Sequence, residues 1–352
     1  GIRIMAYSTI PKGSLYMNNV LWTGNNTART ITGVNFQPDF TWIKSRTQAY
    51  NYILTDVLRG TTKYLSSNTN TVETTDAQTL TAFASDGFSI GTSNLVNQNV
   101  QDHVAWNWKG GGTGVANTNG SISSTVSASA TSGFSIIKYT GSGANATVGH
   151  GLSTAPKMII VKSPSIADDG WYVWNTAYST SNNKYQRMEQ AGGLGTGSTF
   201  WNDTAPTTST ISVGTSTGVN QNGQTYICYA FADVKGFSQI GGYTGNANAD
   251  GTFVYTGFKP AFVMFKATAS NESWQIYDTK RNPFNALGQY LNPNTSGIAN
   301  NNLNFVDYLS NGFKLRTADG GVNGSQLYAY MAFASNPFVA TSGTSAIPVT
   351  AR

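Results

Sequence analysis

The sequence contains little charge, a single cysteine and no long apolar run. Charged residues make up 11% of its 352 residues, against roughly 25% in an average soluble domain. The net charge of +5 is spread along the chain, without a basic cluster of the kind that binds nucleic acid. No apolar stretch reaches the roughly 18 residues of a membrane-spanning helix, and no signal peptide is visible. Met5 resembles a natural start that follows four further residues.

The scarcity of cysteine and histidine limits metal and redox chemistry. Cys228 is the one cysteine, which excludes an intrachain disulfide, and its aromatic and aliphatic neighbours predict a buried thiol. The two histidines, His103 and His150, have no spacing to Cys228 that would suit zinc. The glycine run 110–114 lacks the Lys-Ser/Thr that completes a phosphate loop. We therefore expect no metal, no cofactor and no catalytic residue.

Aromatic residues are plentiful and predict a real core. They make up 12% of the chain, together with 38 glycines. Short β-branched and aromatic runs, such as 40–43, 158–161 and 262–265, are bounded by turn residues and read as strands. Helical periodicity is hard to find. These features predict an all-β chain built from β-sandwich or jelly-roll units.

The sequence also suggests three diverged copies of one unit. Each copy begins with Thr-Gly, reaches a proline after a loop, and continues into an apolar strand that ends in lysine. An Asp or Asn and, further on, a second Asn recur, and an aromatic strand closes each copy. The recurring positions are Pro38, Pro156 and Pro260; Lys44, Lys162 and Lys266; Asp56, Asn175 and Asp278; Asn97, Asn220 and Asn323; and the strands ending near Trp108, Phe231 and Phe333.

These repeats set the expected boundaries of the units. Unit 1 covers 19–110, unit 2 covers 133–235 and unit 3 covers 236–338, with an N-terminal segment 1–18 and a C-terminal tail 339–352. Residues 111–132, rich in Gly, Ser and Thr, are either a flexible linker or a strand crossing between units. Aromatic side chains on the repeated strands are expected in the core: Trp42, Phe88, Trp108, Phe231, Phe265, Phe313 and Phe333.

Carboxylates and aromatics are the candidate functional groups. Asp56 and Asp278 recur at equivalent positions, which favours a structural role with Arg59 and Arg281 over a glycosidase pair. Unit 2 contains two indoles without an obvious counterpart in the other units, next to polar side chains. Since sugar rings stack on exposed aromatics, this set is a candidate glycan site: Trp174, Trp201, Asn175, Asn202 and Asp203.

Several motifs resemble a domain family of virion proteins from tailed bacteriophages, especially phages of marine bacteria. The motifs are 133–141, 148–152, 156–162, Trp201-Asn202 with Pro206, 255–263 and 309–316. The resemblance extends from about Asn19 to Phe338. It implies tandem lectin-like, concanavalin-type sandwiches on the exterior of a virion, in proteins described mostly as tail-fibre or minor structural proteins.

The resemblance leads to two main functional expectations. The first is a non-enzymatic tail-fibre or receptor-binding component that contacts host-surface glycans. The second is a capsid decoration or head-fibre protein without a glycan site; a glycan-cleaving spike is a weaker third. Expected partners are other virion proteins, with a homotrimer favoured by the resemblance alone, and neither nucleic acid nor membrane insertion is expected.

Overall fold

The protein is described by a computed structural model, which covers residues 8–178, 180–301, 305–334, 336, 339–340 and 347–348. Nearly all of its regular structure is strand, and the prediction of an all-β chain is confirmed. Residues 1–7 of the predicted N-terminal segment and most of the predicted tail lie outside the described residues.

Unit 1 folds into nine strands, preceded by a 3-10 turn at Gly13–Leu15. In chain order the strands are β1 (Met17–Thr23), β2 (Arg29–Thr32), β3 (Phe40–Ser45), β4 (Ile53–Asp56), β5 (Lys63–Tyr64), β6 (Thr74–Thr75), β7 (Leu80–Ala84), β8 (Gly87–Ile90) and β9 (Asp102–Trp108), with helix α1 (Asn94–Asn97) before the last. A large sheet has the order β1-β9-β3-β4 and a small one the order β2-β8-β7. Strands β5 and β6 form a separate pair.

Ten strands follow from residue 115 to residue 231. They are β10 (Val115–Asn117), β11 (Ser124–Ser129), β12 (Phe134–Thr140), β13 (Ala146–Gly149), β14 (Met158–Lys162), β15 (Tyr172–Asn175), β16 (Lys184–Arg187), β17 (Gly195–Thr196), β18 (Thr210–Val213) and β19 (Thr225–Phe231), with helices α2 (Ser198–Trp201) and α3 (Thr217–Asn220). Their large sheet has the order β10-β11-β12-β19-β14-β15-β16-β17, and β13 pairs with β18.

Unit 3 completes the chain with the same kind of layering. Its strands are β20 (Ser238–Thr244), β21 (Phe253–Tyr255), β22 (Pro260–Ala267), β23 (Gln275–Asp278), β24 (Val306–Leu309), β25 (Gly312–Leu315) and β26 (Leu327–Ala334). The large sheet is β20-β26-β22-β23 and the small sheet β21-β25-β24. Beyond unit 3, β27 (Val339–Ala340) pairs with β28 (Ile347–Pro348).

The three large sheets contain the same four-strand order. In each, the closing strand lies between the first strand of the unit and the strand that follows the recurring proline: β1-β9-β3-β4, β12-β19-β14-β15 and β20-β26-β22-β23. All pairs of neighbouring strands in these sheets are antiparallel. The register is also shared, because Trp108, Phe231 and Phe333 lie opposite Phe40, Met158 and Phe262.

A buried asparagine holds the loop after the first strand in every unit. Asn97, Asn220 and Asn323 are each 0% exposed. Each side-chain oxygen accepts a backbone N–H from the loop. Each side-chain amide nitrogen donates to two backbone carbonyls, those of Thr27 and Gly91 for Asn97, of Ala144 and Gly214 for Asn220, and of Asn248 and Thr317 for Asn323. One side chain thus satisfies several loop groups that would otherwise be buried without a partner.

Residues 111–132, for which the sequence left two alternatives, contain strands. Strands β10 and β11 extend the sheet of unit 2 through the pairing of β11 with β12. The glycine run lets the chain approach this sheet closely, because a Cβ on Gly111 would lie 2.5 Å from the carbonyl oxygen of Ala128. The Gly111 N–H instead donates to the Ser127 hydroxyl at 3.0 Å.

Each unit has a core of its own between its two sheets. In unit 1, for example, Ile43 and Ala105 of the large sheet pack with Ile31 and Phe88 of the small sheet. Corresponding clusters occupy units 2 and 3. Ala105, Ala230 and Ala332 of the closing strands face these cores, which follows from the alternation of side chains along a strand.

The opposite faces of the three large sheets share one further core. This cluster contains aromatic and aliphatic residues from all three units, among them Trp106, Tyr229 and Phe262. The large sheets are therefore buried on both faces, which explains why β3, β4, β14, β22 and β23 consist entirely of buried residues. Strands buried on both faces are mostly apolar, and polar residues at their ends, such as Lys44 and Asp56, are hydrogen-bonded.

Three aromatic rings meet at the centre of the shared core. Ring centroids are 6.1 Å apart for Trp108 and Phe231, 6.0 Å for Trp108 and Phe333, and 6.2 Å for Phe231 and Phe333. Each ring comes from the closing strand of a different unit, and the interplanar angles of 67–72° are those of favourable edge-to-face pairs. The units are consequently arranged cyclically around this triangle.

The predicted core aromatics are confirmed. All seven are 2% exposed or less, and they divide between the shared core and the cores of the units. Phe88, Phe265 and Phe313 lie between the sheets of their own units, whereas Trp42, Trp108, Phe231 and Phe333 lie in the shared core.

The central triangle gives a stability prediction with a matched control. Phe231→Ala should lower the free energy of unfolding by about 3–5 kcal/mol, because it removes a buried ring and leaves a cavity between units. Phe284→Ala deletes the same atoms from a side chain that is 81% exposed and should have little effect. Denaturant unfolding of both variants measures the difference, and similar values would contradict the packing described here.

Candidate functional site

The structure buries both indoles of the predicted glycan set. Trp174 is 5% exposed and Trp201 is 1% exposed, and both belong to the core of unit 2. The indole nitrogen of Trp201 donates to the backbone oxygen of Lys184 at 3.1 Å. The expectation that these rings are exposed is therefore wrong, and neither offers a free face on which a sugar ring could stack.

Trp201 is unique to unit 2 because unit 2 lacks a strand. Its small sheet has two strands, where units 1 and 3 have three. Helix α2 occupies the place of the third strand. The N–H of Gly214 donates to the backbone oxygen of Phe200 in unit 2, and the N–H of Gly91 donates to that of Thr79 in unit 1, so Phe200 and Thr79 are equivalent. Trp201 thus takes the position of Leu80, which is 0% exposed, and fills the volume left by the missing strand.

Trp174 does have an aromatic counterpart. It directly precedes Asn175, as Tyr277 directly precedes Asp278. Asn175 and Asp278 lie opposite equivalent residues, Met158 and Phe262. Tyr277 is also fully buried, so an aromatic at this position serves the sandwich core in two of the three units.

The polar members of the predicted set are separated from each other. Asn175 is 1% exposed, and its side-chain oxygen accepts the N–H of Ala177 at 2.9 Å. Asn202 and Asp203 are exposed and have φ angles of 51° and 48°, in the left-handed region that suits a tight turn after α2. The set is therefore divided between a buried strand and a surface turn.

The recurring carboxylates have the structural role predicted for them. The Asp56 carboxylate accepts the backbone N–H groups of Leu58 and Arg59 and the Arg59 Nε–H at 2.6 Å. Asp278 makes the same contacts with Lys280 and Arg281, at 2.5 Å for the Arg281 Nε–H. Both aspartates are 0% exposed, so neither carboxylate faces a surface on which a substrate could bind.

Each of these ion pairs also bonds to the neighbouring unit. The Tyr229 hydroxyl of unit 2 donates to Asp56 Oδ2 of unit 1 at 2.8 Å. The Trp106 indole of unit 1 donates to Asp278 Oδ2 of unit 3 at 3.0 Å. At the boundary between units 2 and 3, the place of the aspartate is taken by the neutral Asn175. The place of Tyr229 is taken by Met331, which lies opposite Met264 as Tyr229 lies opposite Ile160. A methionine has no O–H or N–H in its side chain, so these two residues form no such bond.

Three buried lysines end the proline-initiated strands. Lys44, Lys162 and Lys266 are each 0% exposed. Their ammonium groups donate to backbone carbonyls, and among the described residues none is within ion-pair distance of a carboxylate. Burial lowers the pKa of Lys44 to about 7 and the pKa values of Lys162 and Lys266 to about 8, because desolvation disfavours the charged form.

Shallow clefts follow the boundaries between units. One of about 220 Å³ between units 1 and 2 contains Arg59, Lys63, Glu73 and Lys138. Its one carboxylate, Glu73, lies 3.2 Å from the Arg59 guanidinium and 3.7 Å from the Lys63 ammonium. Another of about 380 Å³, between units 2 and 3, contains Arg187 and Thr268. The charged and polar side chains of these clefts can bind polar groups.

An exposed aromatic pair on β21 was missed by the sequence reasoning. Phe253 is 43% exposed and Tyr255 is 64% exposed, while Val254 between them is buried. The available signal was this alternation, with aromatics at the outward positions of a strand.

Metal and membrane features complete the survey of the described part of the chain. No group of three or more His, Cys, Asp or Glu side chains in it could hold a metal ion. Cys228 is a free, buried thiol, as predicted. No helix among the same residues combines the length and apolar character needed to cross a membrane.

The bond between Tyr229 and Asp56 can be tested with a matched pair of variants. Tyr229→Phe should lower the free energy of unfolding by about 1.5–3 kcal/mol, since it removes a buried hydrogen bond to a charged group. Tyr52 is equally buried, but its hydroxyl has no partner in the described chain, so Tyr52→Phe should cost nothing. Urea unfolding measures the free energy of unfolding of both variants. Equal losses in the two variants would contradict the inter-unit role of Tyr229.

The buried lysines predict that stability rises from pH 7 to pH 9. The folded chain releases these protons near pH 7–8, whereas unfolded lysine keeps its proton to about pH 10. The unfolded state then binds more protons, so the free energy of unfolding increases with pH. Burial also raises the pKa of Cys228, which opposes this rise by one proton above about pH 8.5.

Unfolding curves at the two pH values measure the effect. Lys44→Met retains the length of the side chain without a titrating group and should reduce the rise. A flat or falling stability in the unsubstituted chain would contradict the burial of the lysines.

Comparison with known proteins adds one finding to this geometry. No curated protein and no solved structure matches the chain. A family model described as a domain of unknown function, DUF7483, matches residues 12–337, which includes all three large sheets. The chain therefore belongs to the DUF7483 family.

Proposed function

We propose that the chain is a non-enzymatic surface protein of a tailed-bacteriophage virion that takes part in host attachment through glycan contacts. Within this proposal the three units are diverged copies of one sandwich. The common strand order, the shared register and the three buried asparagines support that relationship. The virion location rests on the motifs that resemble phage virion proteins.

The observation that carries the proposal is the shared core. It covers the inner faces of all three large sheets within a single chain. The small sheets and the loops between strands therefore provide the surface on which partners can bind. An attachment protein needs a rigid body of this kind, because a preorganised surface loses little conformational entropy on binding.

The absence of catalysis is supported by what the carboxylates do. The recurring pair, Asp56 and Asp278, is bound to arginines and backbone N–H groups inside the unit boundaries. Glu73, in the cleft between units 1 and 2, contacts two cations. A glycosidase would need two carboxylates facing a substrate about 5–10 Å apart, and these residues do not form such a pair.

A capsid decoration or head-fibre protein is the second candidate. The observation in its favour is the cyclic packing of the units around the ring triangle, which would suit a position of three-fold symmetry on a capsid. The expected homotrimer belongs to either function. The cyclic packing provides within one chain contacts that would otherwise require three chains.

Adsorption experiments distinguish the two functions. Excess purified chain, added to host cells before a phage that carries it, should lower the adsorption rate at least tenfold if the chain binds the host surface. Antibody labelling of intact particles should then mark the tail tip. Undiminished adsorption together with label on the capsid lattice would favour decoration over attachment.

A further inference from the structure

The outward face of the small sheet in unit 3 differs from the same face in the other units. Strand β21 is the terminal strand of this sheet, and its Phe253 and Tyr255 side chains both point away from the core. Two residues apart on a strand, they are separated by about 7 Å. They present two rings side by side to solvent, on an element that is fixed by its pairing with β25.

The rings are not needed by the fold. The registers of the small sheets place Thr30 and Thr32 of unit 1 where unit 3 has Phe253 and Tyr255. In unit 2 the same places hold Thr147 and Gly149. Two sandwiches of the same layout are thus built with small side chains at these positions. The large aromatic area in unit 3 is therefore available for a contact outside the chain.

The charged groups around the rings compensate each other. Lys314 lies opposite Phe253 in the ladder, and its ammonium group is 2.8 Å from an Asp250 carboxylate oxygen. Next to it on the same face, Arg316 lies 3.4 Å from Asp307. These two positive and two negative side chains extend across the sheet from Phe253, whereas Tyr255 lies opposite Gly312. Together they carry no net charge that would favour a polyanion or a polycation.

We propose that this face, formed by Phe253 and Tyr255 with Lys314, Asp307 and Arg316, binds the pyranose rings of an uncharged glycan. The proposal rests on the attachment function proposed above and assigns it a site and a ligand class. A pyranose has apolar C–H faces and hydroxyl edges. The aromatic rings can pack on the C–H faces. The neighbouring Lys and Arg side chains can donate hydrogen bonds to the hydroxyl groups, and the Asp side chain can accept them.

The balance of exposed groups favours a sugar over a protein partner. The apolar area consists of two rings, which is small compared with a protein interface of about 800 Å² per partner. Two adjacent rings suit two consecutive sugar units of an extended chain. A single such contact is weak, and firm adhesion would come from many chains binding one particle to one repetitive surface polysaccharide.

The test uses the full chain on an array of immobilised glycans, with glucose-, galactose- and mannose-based oligosaccharides as neutral probes and sialylated and sulfated ones as anionic probes. The variant Phe253→Thr with Tyr255→Thr introduces the residues that unit 1 carries at these positions, so it should fold. Val115→Thr is the control, because Val115 is an exposed apolar residue on β10, in the large sheet of unit 2. We expect the chain to bind neutral probes, the double variant to lose at least tenfold in apparent affinity, and the control to bind unchanged.

Other outcomes overturn the proposal in distinguishable ways. Binding to neutral probes that survives in the double variant places the site elsewhere and leaves attachment intact. Binding confined to anionic probes overturns the ligand class, as does no binding at all by a chain that still blocks adsorption. A chain that neither binds glycans nor blocks adsorption refutes the attachment function and this site together. Loss of self-association in the double variant, detected by light scattering, would identify the face as a contact between two copies of the chain.

Discussion

The burial of each large sheet on both faces is the constraint on which the rest of the structure depends. One face packs on the small sheet of the same unit, and the other packs on the other two units around Trp108, Phe231 and Phe333. A chain with so few charges can supply three such sheets, because almost every position of the central strands can be apolar or aromatic. As a consequence, no unit can expose its inner face to solvent, and the three units must fold against one another.

Polar groups inside this arrangement act where the backbone needs partners. The buried asparagines bond to backbone groups of the loops within the units, and the lysines at the ends of the strands donate to nearby backbone carbonyls. The aspartate–arginine pairs do the same and reach the next unit through Tyr229 or Trp106. Because the boundary between units 2 and 3 lacks this bond, the cyclic arrangement is symmetric in its strands but not in its polar contacts.

This division of roles bears on function. Inner surfaces are occupied by packing, and the recurring charged residues are occupied by hydrogen bonds. The groups that remain free to contact a partner therefore lie on the outer sheets and loops. There the side chains can differ while the core stays the same: Phe253 and Tyr255 of unit 3 occupy the places of Thr30 and Thr32 in unit 1.

The sequence alone determined the all-β class, the strands, the burial of the seven predicted core aromatics and the structural role of the recurring aspartates. These features follow from local composition and from the spacing of residues along the chain. The spacing recurs because each unit has the same backbone hydrogen bonds and the same core positions. Tertiary structure alone decided which face of a doubly buried strand meets which partner, since an unbroken apolar run carries no such information. The tertiary structure also determined that the unmatched tryptophan, Trp201, is buried. Helix α2 replaces a strand in unit 2, and Trp201 fills the volume that the strand would occupy. That volume exists only in the packed sandwich, so the sequence does not indicate it.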